Sequence, residues 1–508
     1  MPLAIIYSRT NNGIDAALVC VEVDIANGLP SLSIVGLPEA AVKESKDRVR
    51  AAIINSRFEF PAKRITVNLA PADIPKDGGR LDLPIAIGIL AASEQIPMET
   101  LDRFEFIGEL SLGGQVRPVK GVLPTAYAAN QARRTLVVAM DNADEASLIK
   151  ALNVIAIQHL GQFTAHILGI EVISSFQSTL KTKSSDNSVD MRDVKGQHHA
   201  KRALEIAAAG GHNMLMVGPP GTGKTMLASR LATIMPPMTE QEALESATIA
   251  SISNQGFDVE KWSLRPIRAP HHTASGVALV GGGAKVKPGE ISLAHNGVLF
   301  LDELMEFDRK VLEVLREPLE NGAISISRAA RQATYPAKFQ LICAFNFCPQ
   351  GLSCDLQQDC QCSQEQKRRY LSKLSAPFLD RIDLHIEVPR LPRQDLQSAE
   401  SGETSESVRE RVIAARTRQI QRQHKNNRSL TNQDIERVCI LNDSDSQLLA
   451  HAMDKFRFSA RTYHRILKVA RTIADLDESA EINTQYLMEA LSYRSLPLFE
   501  NPTQQVAL

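Results

Sequence analysis

Apolar residues at strand and helix spacing alternate through the first part of the chain. Residues 17–23 and 65–69 are rich in β-branched side chains, which favour strands. Residues 39–56 repeat apolar side chains at the helical period, and residues 83–93 form a second helical stretch. The pattern therefore predicts an α+β domain over residues 1–173.

The pattern changes near residue 174. Residues 174–190 are mostly Ser, Thr, Lys, Asp and Asn, a composition that favours a linker between domains. Residues 191–393 alternate helical segments with short, continuous apolar runs. Because strands buried on both faces read as continuous apolar runs, this region predicts an α/β domain.

Residues 394–508 predict an all-α domain. An acidic loop precedes residues 408–428, which carry seven basic residues and one acidic residue, and helical periodicity continues through residues 434–496. The basic segment either exposes a solvated face or contacts DNA or another subunit. Three of its apolar residues are predicted to face inward: Val412, Ala415 and Ile420.

Composition narrows the class of protein. A length of 508 residues suits roughly three domains, and 44% hydrophobic with 23% charged residues is ordinary for a globular protein. The 57 Lys and Arg nearly balance the 58 Asp and Glu, so any surface that binds nucleic acid must be local. No run is apolar enough to span a membrane and the N-terminus lacks a basic leader, so we expect a cytoplasmic protein without a membrane partner.

The most specific chemical signal is a glycine-rich loop at residues 218–225. It follows the apolar run 213–217 and precedes a helical segment, which is the context of a phosphate-binding loop. Lys224 is predicted to reach the β- and γ-phosphates of ATP, and Thr225 to place its hydroxyl on Mg2+. The loop consists of Gly218, Pro219, Pro220, Gly221, Thr222, Gly223, Lys224 and Thr225.

Two further apolar runs end in polar residues that suit ATP hydrolysis. Residues 297–301 lead into Asp302 and Glu303. We expect Asp302 to hold the Mg2+ shell and Glu303 to act as the general base on water. Asn346 follows the second run and either positions the water and senses the γ-phosphate or forms a strand-end turn.

Arginines in the second half of the chain are candidates for contacts with the nucleotide. Arg381 precedes an apolar run and is predicted to act in trans on a neighbouring subunit's ATP, which implies a ring or another head-to-tail assembly. Arg461 begins a probable helix and is predicted to act in cis on the nucleotide. Arg465, one turn later, is the competing candidate for that role.

A hairpin is predicted at residues 324–335, where two strand-like runs flank a basic tip. Arg328 and Arg331 are expected to contact DNA phosphates, and the alternative is a solvent-facing turn. Residues 265–283 are a second candidate for a DNA-facing segment, through Arg268. Two histidines in it, His271 and His272, lack a Glu-x-x-His pattern, so a metal site is not favoured there.

Four cysteines lie close together after Asn346, at positions 348, 354, 360 and 362. Their clustering suggests a structural Zn2+ site, although the spacing lacks Cys-x-x-Cys pairs. The alternative is a set of reduced thiols without a metal. The candidate ligands are Cys348, Cys354, Cys360 and Cys362.

Two N-terminal segments resemble the ATP-dependent Lon protease domain, at residues 75–80 and 108–121. Arg80 stands where the resemblance places the nucleophilic serine, and the position of the catalytic lysine falls near Leu123. A serine–lysine dyad needs both groups, so the resemblance implies a Lon-like fold without proteolysis. We expect a scaffold in which Arg80, Arg117 and Lys120 either contact DNA or face solvent.

Together the motifs resemble the magnesium-chelatase-like branch of the AAA+ ATPases, most closely the bacterial ComM (YifB-like) family. The resemblance covers almost the whole chain and includes residues 211–213, 268–273, 315–320 and 459–465. It implies a Lon-like domain at 1–173, a linker at 174–190, an AAA+ core at 191–393 and a helical lid at 394–508.

This resemblance also implies a function. We expect a hexameric, ATP-driven DNA helicase that promotes branch migration during homologous recombination of incoming single-stranded DNA in natural transformation. Its cofactors would be ATP and Mg2+, and its partners single-stranded and branched DNA, further copies of the chain and a recombinase. The competing hypothesis is a chelatase-type motor that remodels a protein partner.

Overall fold

The computed structural model describes residues 3–494 except 38, 40, 41, 43, 77, 181–188, 284, 285, 329, 330, 348–361 and 393–401, and except the side chains of residues 328, 331 and 364.

The N-terminal region forms a mixed sheet with strand order β3-β4-β2-β1-β5-β8-β9. Its first half is largely antiparallel, and β5, β8 and β9 continue it in parallel. A small ribbon of β6 and β7 stands apart from it. The strands are β1 (Ala4–Asn12), β2 (Asp15–Ala26), β3 (Ser31–Val35), β4 (Arg64–Ala70), β5 (Phe104–Phe106), β6 (Glu109–Leu110), β7 (Val116–Arg117), β8 (Thr135–Ala139) and β9 (Val154–Ile157).

Helices cover this sheet and confirm the predicted α+β pattern. They are α1 (Ser45–Asn55), α2 (Asp82–Ala92), α3 (Val122–Gln131), α4 (Ala143–Ala146) and α5 (Leu160–Ile167). Every residue of α2 is buried, which explains its run of apolar side chains without a polar face. Its one carboxylate, Asp82, is ion-paired with Arg48 of α1 at 2.7 Å.

The central region forms a parallel sheet with strand order β11-β14-β17-β10-β18. Its strands are β10 (Met214–Val217), β11 (Ile267–Arg268), β14 (Val298–Leu301), β17 (Gln340–Phe345) and β18 (Leu384–Glu387). The major helices beside it are α6 (His198–Gly210), α7 (Lys224–Ile234) and α8 (Glu240–Ser251). Because the strands are parallel, the carboxyl ends of β10, β14 and β17 meet at one edge, where ligands bind in such sheets.

A β-hairpin projects from the segment between β14 and β17 and confirms the predicted hairpin. Strands β15 (Ala323–Arg328) and β16 (Arg331–Pro336) pair from Ala323 with Pro336 to Arg328 with Arg331. The neighbouring elements are α9 (Gly276–Val280), β12 (Gly281–Gly282), β13 (Lys287–Pro288), α10 (Glu290–Leu293), α11 (Arg309–Val314) and α12 (Arg316–Asn321). Two short helices, α13 (Gln364–Leu371) and α14 (Ala376–Leu379), lead to β18.

The C-terminal region is helical, as predicted. Its helices are α15 (Ser405–Gln423), α16 (Asn432–Val438), α17 (Asp443–Phe456), α18 (Ala460–Leu476) and α19 (Thr484–Ser492). Apolar residues of α15 and α18 share one core with α6 and with strands β10 and β18. This shared core fixes the helical lid to the back of the parallel sheet.

The basic helix α15 differs from its prediction. Val412 and Ala415 are buried as expected, but Ile420 is exposed. Several of its arginines neither face solvent nor offer a surface to DNA, because acceptors within the same chain engage them. Arg416 donates to two carbonyl groups at the end of α6, and Arg422 donates to the buried carboxylate of Asp475 at 2.6 and 2.9 Å.

A buried polar network joins the N-terminal region to α8. The guanidinium group of Arg80 donates to the carbonyl oxygens of Lys120 at 2.9 Å and Gly121 at 3.2 Å. Glu145 accepts from the Leu123 amide and from the Ser251 hydroxyl of α8. Burial raises the pKa of Glu145. Arg80 is therefore a structural bridge and not the DNA-contacting or solvent-facing residue predicted from the sequence.

Candidate functional site

The glycine-rich loop lies at the carboxyl end of β10 and leads directly into α7. Two of its glycines are required by geometry. A Cβ atom at Gly218 would lie 2.2 Å from the carbonyl oxygen of Val388, so no larger residue fits there. Gly223 has a φ of 89° immediately before α7, a conformation that glycine adopts without strain.

The side chain of Lys224 lies inside this loop. Its Nζ donates to the carbonyl oxygens of Gly218 at 2.9 Å and Pro219 at 2.7 Å, and to Oδ1 of Asn346 at 3.1 Å. Burial lowers the pKa of Lys224. The structure thus brings together the loop lysine and the polar residue at the end of β17, which the sequence placed at one site.

Hard oxygen ligands stand beside the start of α7. Oγ1 of Thr225 donates to Oδ2 of Asp302 at 2.5 Å, and Asp302 directly follows β14. A hydroxyl and a carboxylate at this spacing are the donor set that Mg2+ takes in phosphate-binding sites. The side chains present therefore fit the predicted Mg2+ site.

Glu303 adopts a left-handed backbone conformation at the sheet edge, with φ of 50°. For a residue other than glycine this conformation costs about 1–2 kcal/mol. The Glu303 amide donates to Oδ1 of Asp302 at 2.9 Å, and the Glu303 side chain is 56% exposed. The backbone thus turns the predicted general base out of the sheet, where water has access to it.

One residue at this site was missed by the sequence analysis. Nδ1 of His272 lies 3.0 Å from Oε2 of Glu303. The histidine was considered only as a DNA-facing residue or a metal ligand. The signal that would have found it is strand order, because β11 and β14 are neighbours and the segments that follow them must meet.

The predicted arginines lie at the opposite edge of the sheet. Arg381 is only 5% exposed, with its guanidinium group on Glu320, and Nη2 of Arg461 lies 3.9 Å from the same carboxylate. The Arg381 carbonyl oxygen accepts from Asn213, at the start of β10, whereas the loop follows its end. A four-residue strand of about 13 Å separates the two edges. Arg461 therefore does not cover the nucleotide loop of its own chain, because α18 begins at the far edge.

Arg465, the competing candidate, is occupied by a structural ion pair. Its guanidinium group is paired with the buried carboxylate of Asp383, which also accepts from the Asn213 amide at 2.9 Å. Burial alone would raise the pKa of Asp383, but Arg465 and His212 hold it well below its usual value. This pair ties α18 to the segment before β18.

The candidate DNA contacts differ in what the structure gives them. Arg268 makes an ion pair with both oxygens of Glu290, at 2.6 and 2.8 Å, and donates to Gln255 at 2.7 Å. It is held within the chain, so the DNA contact proposed below does not include it. Arg328 and Arg331 are the last and first residues of the paired hairpin strands.

The predicted zinc site falls mostly outside the described residues. Cys348, Cys354 and Cys360 are not among them, and Cys362 is described and buried. Within the described ranges, no group of three or more His, Cys, Asp and Glu side chains is arranged to hold a metal ion. The zinc site stays a prediction.

Comparison with known proteins shows the family. The family description "Magnesium chelatase, subunit ChlI" matches residues 190–396, "Subunit ChlI of Mg-chelatase" matches 21–142, and "Magnesium chelatase, subunit ChlI C-terminal" matches 402–494. The chain is 52% identical to the competence protein ComM of Haemophilus influenzae, over 98% of each chain. The chain belongs to the ComM/YifB type of magnesium-chelatase-like proteins.

Other relatives place the ComM/YifB type within a broader group. The chain is 50% identical to the uncharacterized protein YifB of Salmonella typhimurium, over 98% of each chain. It is 27% identical to the magnesium-chelatase 67 kDa subunit of Chlorobaculum parvum, over 30% of this chain and 22% of that protein.

Membership of this AAA+ family implies ATPase activity with ATP and Mg2+. In the part of the chain that the structure describes, no helix is both long and apolar enough to cross a membrane.

Proposed function

We propose that this protein is an ATP-driven DNA translocase that promotes branch migration during homologous recombination of incoming single-stranded DNA in natural transformation. The observation that carries the proposal is the hairpin of β15 and β16, which pairs Arg328 with Arg331 beside its tip in a chain that also holds a complete nucleotide site. The relative named competence protein ComM supports the biological setting.

Each residue of the nucleotide site has a role in ATP hydrolysis. Lys224, now held by carbonyl oxygens of its own loop, would transfer its donors to the β- and γ-phosphates. Glu303 would accept the proton of the attacking water, and Asn346 would orient that water. Bound between Thr225 and Asp302, Mg2+ would neutralise charge on the phosphates.

Completion of the site requires a neighbouring copy. Because Arg381 and Arg461 share one carboxylate at the far edge of the sheet, we propose that both serve the nucleotide of the next subunit. A head-to-tail interface of this kind closes into a ring, and we propose six members. Six hairpins would then form a basic channel in a nearly neutral chain.

The remaining parts have supporting roles in this proposal. The N-terminal domain, Lon-like in its sequence segments, would be a scaffold without proteolysis, because Arg80 is consumed by a structural bridge. The four cysteines would hold a structural Zn2+ near the nucleotide edge. DNA and a recombinase would be its partners in the cytoplasm.

The test is ATP hydrolysis measured without DNA, with single-stranded DNA and with a four-way junction. The double variant Arg328→Ala/Arg331→Ala should lose DNA stimulation and keep the rate without DNA. The matched control is Arg103→Ala/Arg133→Ala, which removes two exposed cations from the N-terminal domain and should retain stimulation. A wild-type rate that no DNA raises would reject the proposal in favour of a chelatase-type motor acting on a protein partner.

A further inference from the structure

The contact between Glu303 and His272 has no role in the catalytic steps above. Oε2 of Glu303 and Nδ1 of His272 are 3.0 Å apart, in a cavity that Glu306, Asn346 and Tyr370 also line. A carboxylate that shares a hydrogen bond with an imidazole is less available to take a proton from water. The histidine therefore has the position of a restraint on the general base.

His272 is itself held by its immediate neighbours. Its ring lies 4.1 Å from the ring of His271, at an interplanar angle of 33°. Nδ1 of His271 lies 2.8 Å from Oγ1 of Thr273, and the His271 carbonyl oxygen accepts from the Ala274 amide. These contacts make a compact turn directly after β11, so a shift of the following segment would move the His272 ring.

That following segment is α9, which packs against the base of the hairpin. Ser275 caps α9, and the helix ends at Gly281. A Cβ atom at Gly281 would lie 2.8 Å from Cδ1 of Ile326 in β15, which shows how closely the two elements approach. Leu279 of α9 shares a buried core with Ile326.

A second contact fixes the hairpin to the far end of the same segment. The hydroxyl of Tyr335 in β16 donates to the carbonyl oxygen of Val286 at 2.7 Å, and the Tyr335 side chain is buried. The hairpin base therefore holds the segment that starts at His272 through both of its strands. Packed elements of this kind transmit a displacement because they lack room to absorb it.

We propose that His272 is a positioning residue that restrains Glu303 when no DNA is bound, and that displacement of the hairpin by DNA releases the restraint through α9. The link to DNA rests on the proposed function, whereas the restraint on Glu303 does not. DNA would then raise the rate of hydrolysis by freeing a base that is already in place, with little change in affinity for ATP.

The experiment compares the kcat and KM for ATP of the full-length protein with and without single-stranded DNA. His272→Ala should raise kcat without DNA about fivefold or more, the effect of losing one hydrogen bond to a charged group. Its KM should not change, and DNA should add little further stimulation. His272→Asn keeps a side-chain amide that can donate to Glu303, so it should restore most of the low DNA-free rate.

Two further variants test the path and its specificity. Tyr335→Phe removes only the hydroxyl that bonds to Val286, so it should reduce DNA stimulation and leave the DNA-free kcat unchanged. Val277→Ala is the control, because Val277 is exposed on α9 and does not touch Glu303. It should behave as wild type.

The outcomes separate the two proposals. A wild-type enzyme without DNA stimulation would reject the DNA function, yet a raised kcat in His272→Ala would still support the restraint. An unchanged DNA-free kcat in His272→Ala, or a rate that falls with and without DNA, would overturn the restraint even if DNA stimulates the wild type.

Discussion

At the scale of single residues, the nucleotide site is built from side chains at three adjacent strand ends. Lys224 follows β10, Asp302 and Glu303 follow β14, and Asn346 follows β17. Strand pairing brings them together, since β17 lies between the other two. Each side chain therefore has a separate and testable role.

The first prediction separates binding from hydrolysis. Lys224→Ala should abolish ATP binding, because no other side chain replaces the amine inside the loop. Glu303→Gln should bind ATP with near-normal affinity and lose hydrolysis by about 100-fold or more. Equilibrium binding of a labelled nucleotide and a phosphate-release assay check both; turnover at the wild-type rate in Glu303→Gln would show that the general base is another residue.

The second prediction concerns pH and the buried carboxylate of Asp383. Its pKa is held below the value of the unfolded chain, so the ionised form stabilises the folded state. This stabilisation is complete above the unfolded pKa of about 4 and is lost as the pH falls through the folded value.

Urea unfolding of wild type and Asp383→Asn at several pH values measures this effect. The difference in the free energy of unfolding should be constant above about pH 5 and shrink as the pH falls below about 4. A difference that does not change over this range would show that the charge of Asp383 does not contribute.

At the scale of elements, the lid is held by polar contacts that the sequence did not reveal. Asp475, near the end of α18, is buried and accepts from Arg422 of α15 at 2.6 Å and from Asn427 at 2.8 Å. Glu478 lies just beyond the same helix and pairs with Arg418, but it is 73% exposed. The two carboxylates offer a matched contrast between buried and exposed pairs.

The third prediction uses this contrast. Asp475→Ala should destabilise the lid by about 3–5 kcal/mol, because it leaves buried donors without their acceptor. Glu478→Ala should cost no more than about 1 kcal/mol, since solvent already screens its pair. Thermal unfolding of the two variants measures the difference; equal effects would contradict the assignment of Asp475 as the buried anchor.

The elements also show how far the sequence could predict the site. The loop at 218–225, Asp302, Glu303 and the hairpin were predicted because each is a contiguous pattern with a local physical cause. The positions of Arg461 and His272 were not, since they depend on which strands and helices become neighbours. The arginines of α15 resemble a solvated face in sequence, and only the folded chain shows their acceptors.

At the scale of the whole molecule, the nucleotide edge and the arginine edge lie at opposite ends of the parallel sheet. A site shared between copies accounts for both, because the loop of one subunit would meet Arg381 and Arg461 of the next. Mixing two inactive variants tests this arrangement directly.

The fourth prediction is that Glu303→Gln and Arg381→Ala are each inactive and regain activity when mixed. An active interface needs Glu303 from one subunit and Arg381 from its neighbour, so equal random mixing should restore about a quarter of the wild-type ATPase rate. The control mixes Glu303→Gln with the double variant Glu303→Gln/Arg381→Ala, which cannot form an active interface. Recovery no greater than in this control would indicate that Arg381 does not act in trans.

The most direct measurement of the proposed function is the ATP-driven movement of a branched DNA junction by the purified protein. Labelled three- or four-stranded substrates would report strand exchange with wild type, Glu303→Gln and Arg328→Ala/Arg331→Ala. We predict movement with wild type and ATP only, and none with either variant. Movement that persists without the hairpin arginines, or its absence with wild type despite active ATP hydrolysis, would contradict a translocase that grips DNA at the hairpin.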